Sequence, residues 1–366
     1  MRLSDFDYEL PEELIAQEPL EQRDASRMLV LTRETQTFAD STFQTFPALT
    51  RAGDLVVVNN TRVFPARLNG RRLPSGGRVE VLLVKEIEPA VWEALVRPAQ
   101  RLKVGASVEF GDGGLRAEVI GSSLKGMRRL KFETGTAGVS STSTSGFTEG
   151  SEGADDGSIE RLLNEVGQTP LPHYIRRPAG TSDRDKERYQ TVFAREKGAI
   201  AAPTAGLHFT PAVLSALQAR GVRVVEITLH VGYGTFEPVR VDVVEEHRVA
   251  PESFHITEET AAAINETRKT GGRVIAVGTT TTRALESAAD VDGRIRAGAG
   301  EAELTITPGY DFRVTDALLT NFHLPQSSLL LLVSAFAGRN LTLAAYRHAV
   351  ASRYRFYSYG DCMFVM

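Results

Sequence analysis

Only one cysteine, Cys362, occurs in the 366 residues, which excludes an internal disulfide and a cysteine-rich zinc site and fits a reducing compartment. It reads as a small buried hydrophobe of the last strand. Long hydrophobic runs are also missing: the stretch from Leu329 to Phe336 is the longest, far short of the ~20 residues a bilayer-spanning helix needs. The opening MRLSDFDYELPEELIA is acidic and has no apolar centre, so no secretory signal is expected. Positive charge is not in excess, since the formal net charge is −4; the chain as a whole is no nucleic-acid coat, and a polyanion would have to meet local patches. The seven histidines form no H-x-H or H-E-x-x-H pattern, so no metal site is expected. A P-loop, a G-x-G-x-x-G turn after a strand and a G-x-S-x-G elbow are all absent, which removes the commonest nucleotide and hydrolase templates.

What is present is enough apolar residue, 42% of the chain, for a sizeable core and more than one domain. A buried strand is expected from Leu55 to Val58, closed by the polar turn Asn59-Asn60-Thr61-Arg62. From about Arg67 to Glu133 the texture is short β segments with Gly-Gly and Gly-Asp turns and no good helix, which predicts a small closed barrel. Arg71, Arg72, Arg78, Arg128, Arg129 and Lys131 are either a phosphate-contacting face of that barrel or strand-edge charges that prevent aggregation. Residues 136–158 are rich in Ser, Thr and Gly and read as a mobile loop. Beyond them helices and strands alternate, which predicts a mixed α/β domain. The expected organisation is a discontinuous α/β catalytic domain of residues 1–65 and 159–366 with a β-barrel of residues 66–135 inserted.

Two loops draw attention as parts of one site. In Ala202-Pro203-Thr204-Ala205-Gly206-Leu207-His208, a Pro/Gly turn carries a histidine before Thr210 and Pro211 open a helix. The strand ending in Leu229-His230-Val231 runs into Gly232-Tyr233-Gly234-Thr235. Each histidine alone is most simply a partly buried turn residue; together they suggest a pocket. A third candidate, Gly278-Thr279-Thr280-Thr281-Thr282-Arg283, lies where a strand ends and a helix begins, the place where open α/β sheets collect ligands and unpaired N–H groups meet anions; plain helix capping is the alternative. Asp316, Asn321 and His323 precede an apolar helix started by Pro325 and Ser327-Ser328.

The segments SDFDYELPEELIAQ, RDASRMLVL, GDLVVVNNTRVFPARL, RYQTVFA, APTAGLHFT, ITLHVGYGTFEPV, VGTTTTRALES, LLTNFHLPQSSLLLLVSAFAG and YRFYSYGDCMF together resemble the S-adenosylmethionine:tRNA ribosyltransferase-isomerases of bacterial queuosine biosynthesis, over nearly the whole chain. His173 departs from the pattern, standing where a second proline is usual, as do Cys362 and the long Ser/Gly-rich connection. The resemblance implies transfer and isomerisation of the ribosyl part of S-adenosylmethionine onto 7-aminomethyl-7-deazaguanine in the tRNA anticodon loop, giving epoxyqueuosine, adenine and methionine. It implies no metal or cofactor, S-adenosylmethionine being a consumed substrate, and a cytoplasmic monomer with no membrane partner. That chemistry requires a base, a donor for departing adenine and a holder for the methionine carboxylate. His208 and His230, with Glu237 and Asp316 behind them, are the catalytic candidates. Thr279, Thr280, Thr281 and Arg283 are candidates for an anionic group and Asn321 and His323 for a base edge. Tyr189, Tyr233 and Tyr357 are candidates for stacking, each with core packing as its plainer role. Arg62, Thr204 and Gly206 are expected at the pocket rim, and Arg176 beside tRNA phosphates. Two other classes stand against this reading: a non-catalytic tRNA-binding module, and a metal-dependent hydrolase using His208, His230 and His323.

Overall fold

The computed structural model describes residues 1–123, 126–134, 156–178, 180–232 and 239–366. It divides into two compact units, one of Met1–Arg62, Pro172–Pro178 and Glu187–Met366 and the other of Val63–Leu171 and Ala179–Lys186. The class is mixed α/β with a closed six-stranded barrel, as the alternation of segments predicts.

The smaller unit closes the strands Arg67–Leu73, Gly77–Glu88, Val91–Arg97, Ser107–Phe110, Leu115–Ser122 and Arg128–Thr134 into the barrel. Val79, Val81 and Leu83 point inward on the longest strand, the period-2 alternation a filled barrel requires. Gly70 permits the tightest approach of two strands, since a Cβ there would meet Val108 and Phe110 side chains at 2.7 Å. The helix Asp156–Val166, which the sequence assigns to the catalytic domain, belongs to this unit; it packs so closely that a Cβ on Gly111 would meet Val166 Cγ1 at 2.8 Å. Two of the barrel's basic residues tie down its own turns: Arg128 donates to Leu102, Gly126 and Ala99 carbonyls, and Arg72 to Ser75 Oγ and Arg101 O. Arg71 and Arg78 are exposed.

The larger unit is built on a nine-stranded sheet in the order Gly298–Ala302, Glu252–Ile256, Arg223–Leu229, Leu55–Asn59, Val274–Val277, Ala317–Asn321, Cys362–Val365, Arg27–Thr32, Thr37–Thr42. The four central strands, from Arg223–Leu229 to Ala317–Asn321, are mutually parallel. Every residue of Leu55–Asn59 is buried, which is why this strand reads as an unbroken apolar run: helices cover both faces of a parallel core. The crossover helix Pro211–Ala219 starts as expected, with Thr210 Oγ1 accepting from Val213 N–H and Pro211 in the first turn. Because the central strands are parallel, their carboxyl ends gather Asn59, His230, Gly278 and Phe322 along one edge. Cys362–Val365 runs antiparallel to its neighbour, with Cys362 opposite Asn321, so the residues preceding Cys362 reach the same edge.

Candidate active site

A cavity of about 260 Å³ opens at that edge, lined by residues of six segments: His173-Tyr174, Ala202 to Ala205, Val231, Gly278 to Thr280, Thr320 to Leu329, and Tyr357-Ser358. Of the sequence candidates, Thr204, Thr279, Thr280, Asn321, His323 and Tyr357 face it. Among the described residues no Asp, Glu, Lys or Arg lines it.

Two helix N-termini end at the cavity. The helix Thr279–Ala288 starts directly after the strand, because Gly278, at φ +95°, turns the chain from strand to helix in one step. Thr281 and Thr282 direct their hydroxyls back to the Val277 and Gly278 carbonyls, the local bonding that lets such residues sit inside a helix. Thr279 and Thr280 are 5% and 7% exposed, line the cavity, and have no hydrogen-bond partner for their hydroxyls among the described residues. No side chain caps this helix, so its first N–H groups stay available to an anion. The second helix, Ser328–Ala337, is capped by Ser327 Oγ, which accepts from Leu330 N–H at 3.2 Å.

The opposite wall is aromatic. Tyr357 adopts φ +72°, the left-handed region that non-glycine residues rarely enter, and its ring lies 4.1 Å from that of Tyr174. Tyr174 Oη bonds Ser358 Oγ at 2.6 Å. The Tyr357 hydroxyl is buried without a partner among the described residues, an arrangement a bound group would complete. His323 is 8% exposed, its Nε2 2.9 Å from Thr320 Oγ1, and its backbone is held by Tyr346 Oη and Tyr8 Oη. Burial pushes its pKa down to about 3. His208 sits under the cavity rather than in its lining, bonded to Ser26 Oγ at 3.1 Å and Asn321 Nδ2 at 3.3 Å.

Several expectations are corrected. Arg283 is not an anion holder at the cavity: it is 4% exposed, pairs with Glu252 at 2.6 Å and donates to the Ala250, Ala302 and Leu304 carbonyls. Thr281 is fully buried and committed to Val277 O. Asp316 stands before the strand Ala317–Asn321 while the cavity lies after it, so roughly 16 Å of strand separates them. Its carboxylate accepts from Val274 N–H at 2.8 Å in a basic concavity with Arg51, Arg268, Lys269, Arg273 and Arg294. Tyr189 is fully buried against Tyr359 and offers no face to a base. Gly206 is a packing glycine, since a Cβ would meet Thr191 at 2.9 Å and Phe193 at 3.0 Å. His230 bonds Thr61 Oγ1 through Nδ1 at 2.9 Å, with Gly198 packed beneath its ring; it does not line the cavity and does not meet His208 or His323. Arg62 is exposed, and Arg176 is exposed and paired with Glu12. Tyr233 and Glu237 lie outside the described residues. Among the described residues no three metal-ligating side chains gather. Sequence reasoning missed His173-Tyr174 and Gln326; the Pro-bounded LPHYI segment was the available signal for the first two.

The chain matches the family model of the queuosine biosynthesis protein over residues 3–365. It is 48% identical to the S-adenosylmethionine:tRNA ribosyltransferase-isomerase of Pelotomaculum thermopropionicum and 49% identical to that of Symbiobacterium thermophilum, each over 366 residues and 100% of both chains. The crystal structure of an S-adenosylmethionine tRNA ribosyltransferase from Thermotoga maritima is similar at 36% identity with a TM-score of 0.54, covering 99% of this chain and 100% of that one. With a match that runs from end to end and takes in every strand whose carboxyl end borders the cavity, the chain belongs to the queuosine biosynthesis protein family.

Proposed function

We propose that the chain transfers and isomerises the ribosyl moiety of S-adenosylmethionine onto 7-aminomethyl-7-deazaguanine in tRNA, giving epoxyqueuosine-tRNA with release of adenine and methionine. The observation that carries this beyond family membership is the composition of the cavity: no formally charged side chain among the described residues, an aromatic wall of Tyr174 and Tyr357, and an uncapped helix N-terminus opposite it. S-adenosylmethionine is a sulfonium cation carrying a carboxylate. An aromatic face attracts a cation through its ring quadrupole, and helix N–H groups with the Thr279 and Thr280 hydroxyls suit the carboxylate. With no counter-charge in the described lining, the ring faces and the helix N–H groups are what offset desolvation of the two charges.

His323 is the proposed proton acceptor. Burial keeps its ring neutral at pH 7, as a proton acceptor must be, and the C–H beside a sulfonium is already acidified. Asn321 and Thr204 are proposed to hydrogen-bond the adenine or the deazaguanine edge. The reaction as proposed needs no metal or redox cofactor, takes place in the cytoplasm where its tRNA substrate is found, and is carried out by a monomer. Incubation with S-adenosylmethionine and tRNA bearing the precursor base, followed by nucleoside mass analysis, tests the reading: epoxyqueuosine and equimolar adenine are expected, and their absence overturns it.

A further inference from the structure

Ser26, His208, Asn321 and Thr204 form one hydrogen-bonded line that runs from beneath the cavity into its lining, and its polarity is fixed from one end. Asn321 Nδ2 lies 3.1 Å from the Tyr357 carbonyl, which can only accept, so the amide nitrogen must face it and the amide oxygen accepts from Thr204 Oγ1 at 3.0 Å. The same Nδ2 faces His208 Nε2 at 3.3 Å. Nε2 therefore carries a lone pair and the ring proton sits on Nδ1, which donates to Ser26 Oγ at 3.1 Å, while Ser26 donates to Arg23 O at 3.1 Å. Each donor in this line finds one acceptor. The imidazole itself is 4% exposed and does not line the cavity.

What the line holds in place is the aromatic wall. Tyr357 occupies a strained backbone conformation that persists only where its surroundings over-determine it. The bond from Asn321 to its carbonyl is one such restraint. An Asn321 amide turned by half a revolution would set its oxygen against the Tyr357 carbonyl, and the acceptor at His208 Nε2 opposes that turn from the other side.

We infer that His208 is a positioning residue: its Nε2 lone pair holds the Asn321 amide in the one orientation that fixes both the Tyr357 carbonyl and the Thr204 hydroxyl, and it exchanges no proton with substrate. Burial, partly offset by a hydrogen bond to the Arg23 backbone and joined by a smaller push from the Arg355 and Arg23 charges, lowers its pKa to about 4, so the ring is uncharged throughout the neutral range. The kinetic consequences rest on the cavity being the S-adenosylmethionine site, whereas the hydrogen-bond polarity belongs to the ligand-free protein.

Two measurements test it. In histidine-labelled, ligand-free protein, nitrogen NMR should find His208 protonated on Nδ1 and unprotonated on Nε2 above about pH 5. Asn321→Asp then sets a carboxylate against Nε2 and should raise the His208 titration by two or more pH units. A parent ring protonated on Nε2, or a titration unmoved in Asn321→Asp, overturns the inference. In the transfer reaction, His208→Ala should lower kcat/KM by roughly tenfold to a hundredfold, chiefly through KM, with the pH profile unchanged. His208→Gln, which returns an acceptor near the Nε2 position, should recover to within about threefold of the parent. If glutamine fails as badly as alanine and the acid limb of the profile vanishes in both, His208 is the proton-transfer group. A parent that transfers no ribosyl group sinks the functional reading and leaves the NMR result to decide this one.

Discussion

The Arg283–Glu252 pair is the clearest instance of a charged residue whose role follows from where its charge is satisfied. Both side chains are almost fully buried, and the guanidinium holds three backbone carbonyls as well, so removing one partner leaves the other uncompensated. Arg283→Met should destabilise the protein by about 3–5 kcal/mol, read as a fall in Tm, while KM for S-adenosylmethionine per folded molecule stays within a few-fold of the parent. A tenfold rise in KM with Tm unchanged would return Arg283 to the anion site. The buried histidines make a second residue-scale prediction. His208 and His323 have folded pKa values of about 4 and about 3, below the ordinary value of about 6.5. Above pH 6.5 both states are neutral at these groups and neither affects stability. Between pH 6.5 and the folded values the unfolded chain binds protons that the folded chain does not, so stability falls with falling pH, in all by about 3 kcal/mol for His208 and about 5 kcal/mol for His323 once the folded values are passed. Chemical denaturation at pH 7.5 and pH 5 should differ in that direction; equal midpoints would mean the rings are not buried neutral.

At the scale of elements, the start of the Thr279–Ala288 helix is where capping and binding divide. Thr281 and Thr282 serve the helix itself, whereas the Thr279 and Thr280 hydroxyls face the cavity with no hydrogen-bond partner among the described residues. Thr280→Val keeps shape and helix geometry but removes one hydroxyl, so KM for S-adenosylmethionine should rise by roughly tenfold with kcat little changed, the signature of lost ground-state binding. An unchanged KM would leave the threonine run with a structural role only. This element also marks what the sequence could disclose. Strand ends, glycine turns and caps are local signals, so the Leu55–Val58 run, the Thr210-Pro211 start and the Gly278 junction were readable. Which neighbour a side chain meets is not local. Glu252 lies 31 positions before Arg283 and Ser358 lies 184 positions after Tyr174, so the buried ion pair was not visible, and the LPHYI segment signalled a Pro-bounded stretch but not its place in the aromatic wall. Asp316 was misassigned because spacing along the chain does not tell which end of a strand faces the ligand, and Gly206 because a glycine required for packing reads like one that admits a substrate.

For the whole molecule, the insertion between barrel and helix offers a test of how much of the chain the activity needs. The barrel's six described strands end at Thr134, and the helix from Asp156 belongs to the same unit. Residues 135–155, between the two, lie outside the described set and hold the Ser/Thr/Gly-rich run that the sequence reads as a loop. Replacing 139–153 with a four-residue Gly-Ser linker shortens the loop about twofold to threefold, which lowers the closure entropy and should stabilise the unit by ~1 kcal/mol or less. Tm should stay level or rise slightly, and turnover with tRNA should match the parent. The salt dependence of tRNA binding is the sensitive readout, because each lost phosphate contact reduces the slope of log affinity against log salt by about one. The segment contains no Lys or Arg, so the slope should be unchanged. A folded, shortened protein with weak turnover and an unaltered slope would mean that the segment acts in the chemistry or in product release rather than in holding the polyanion.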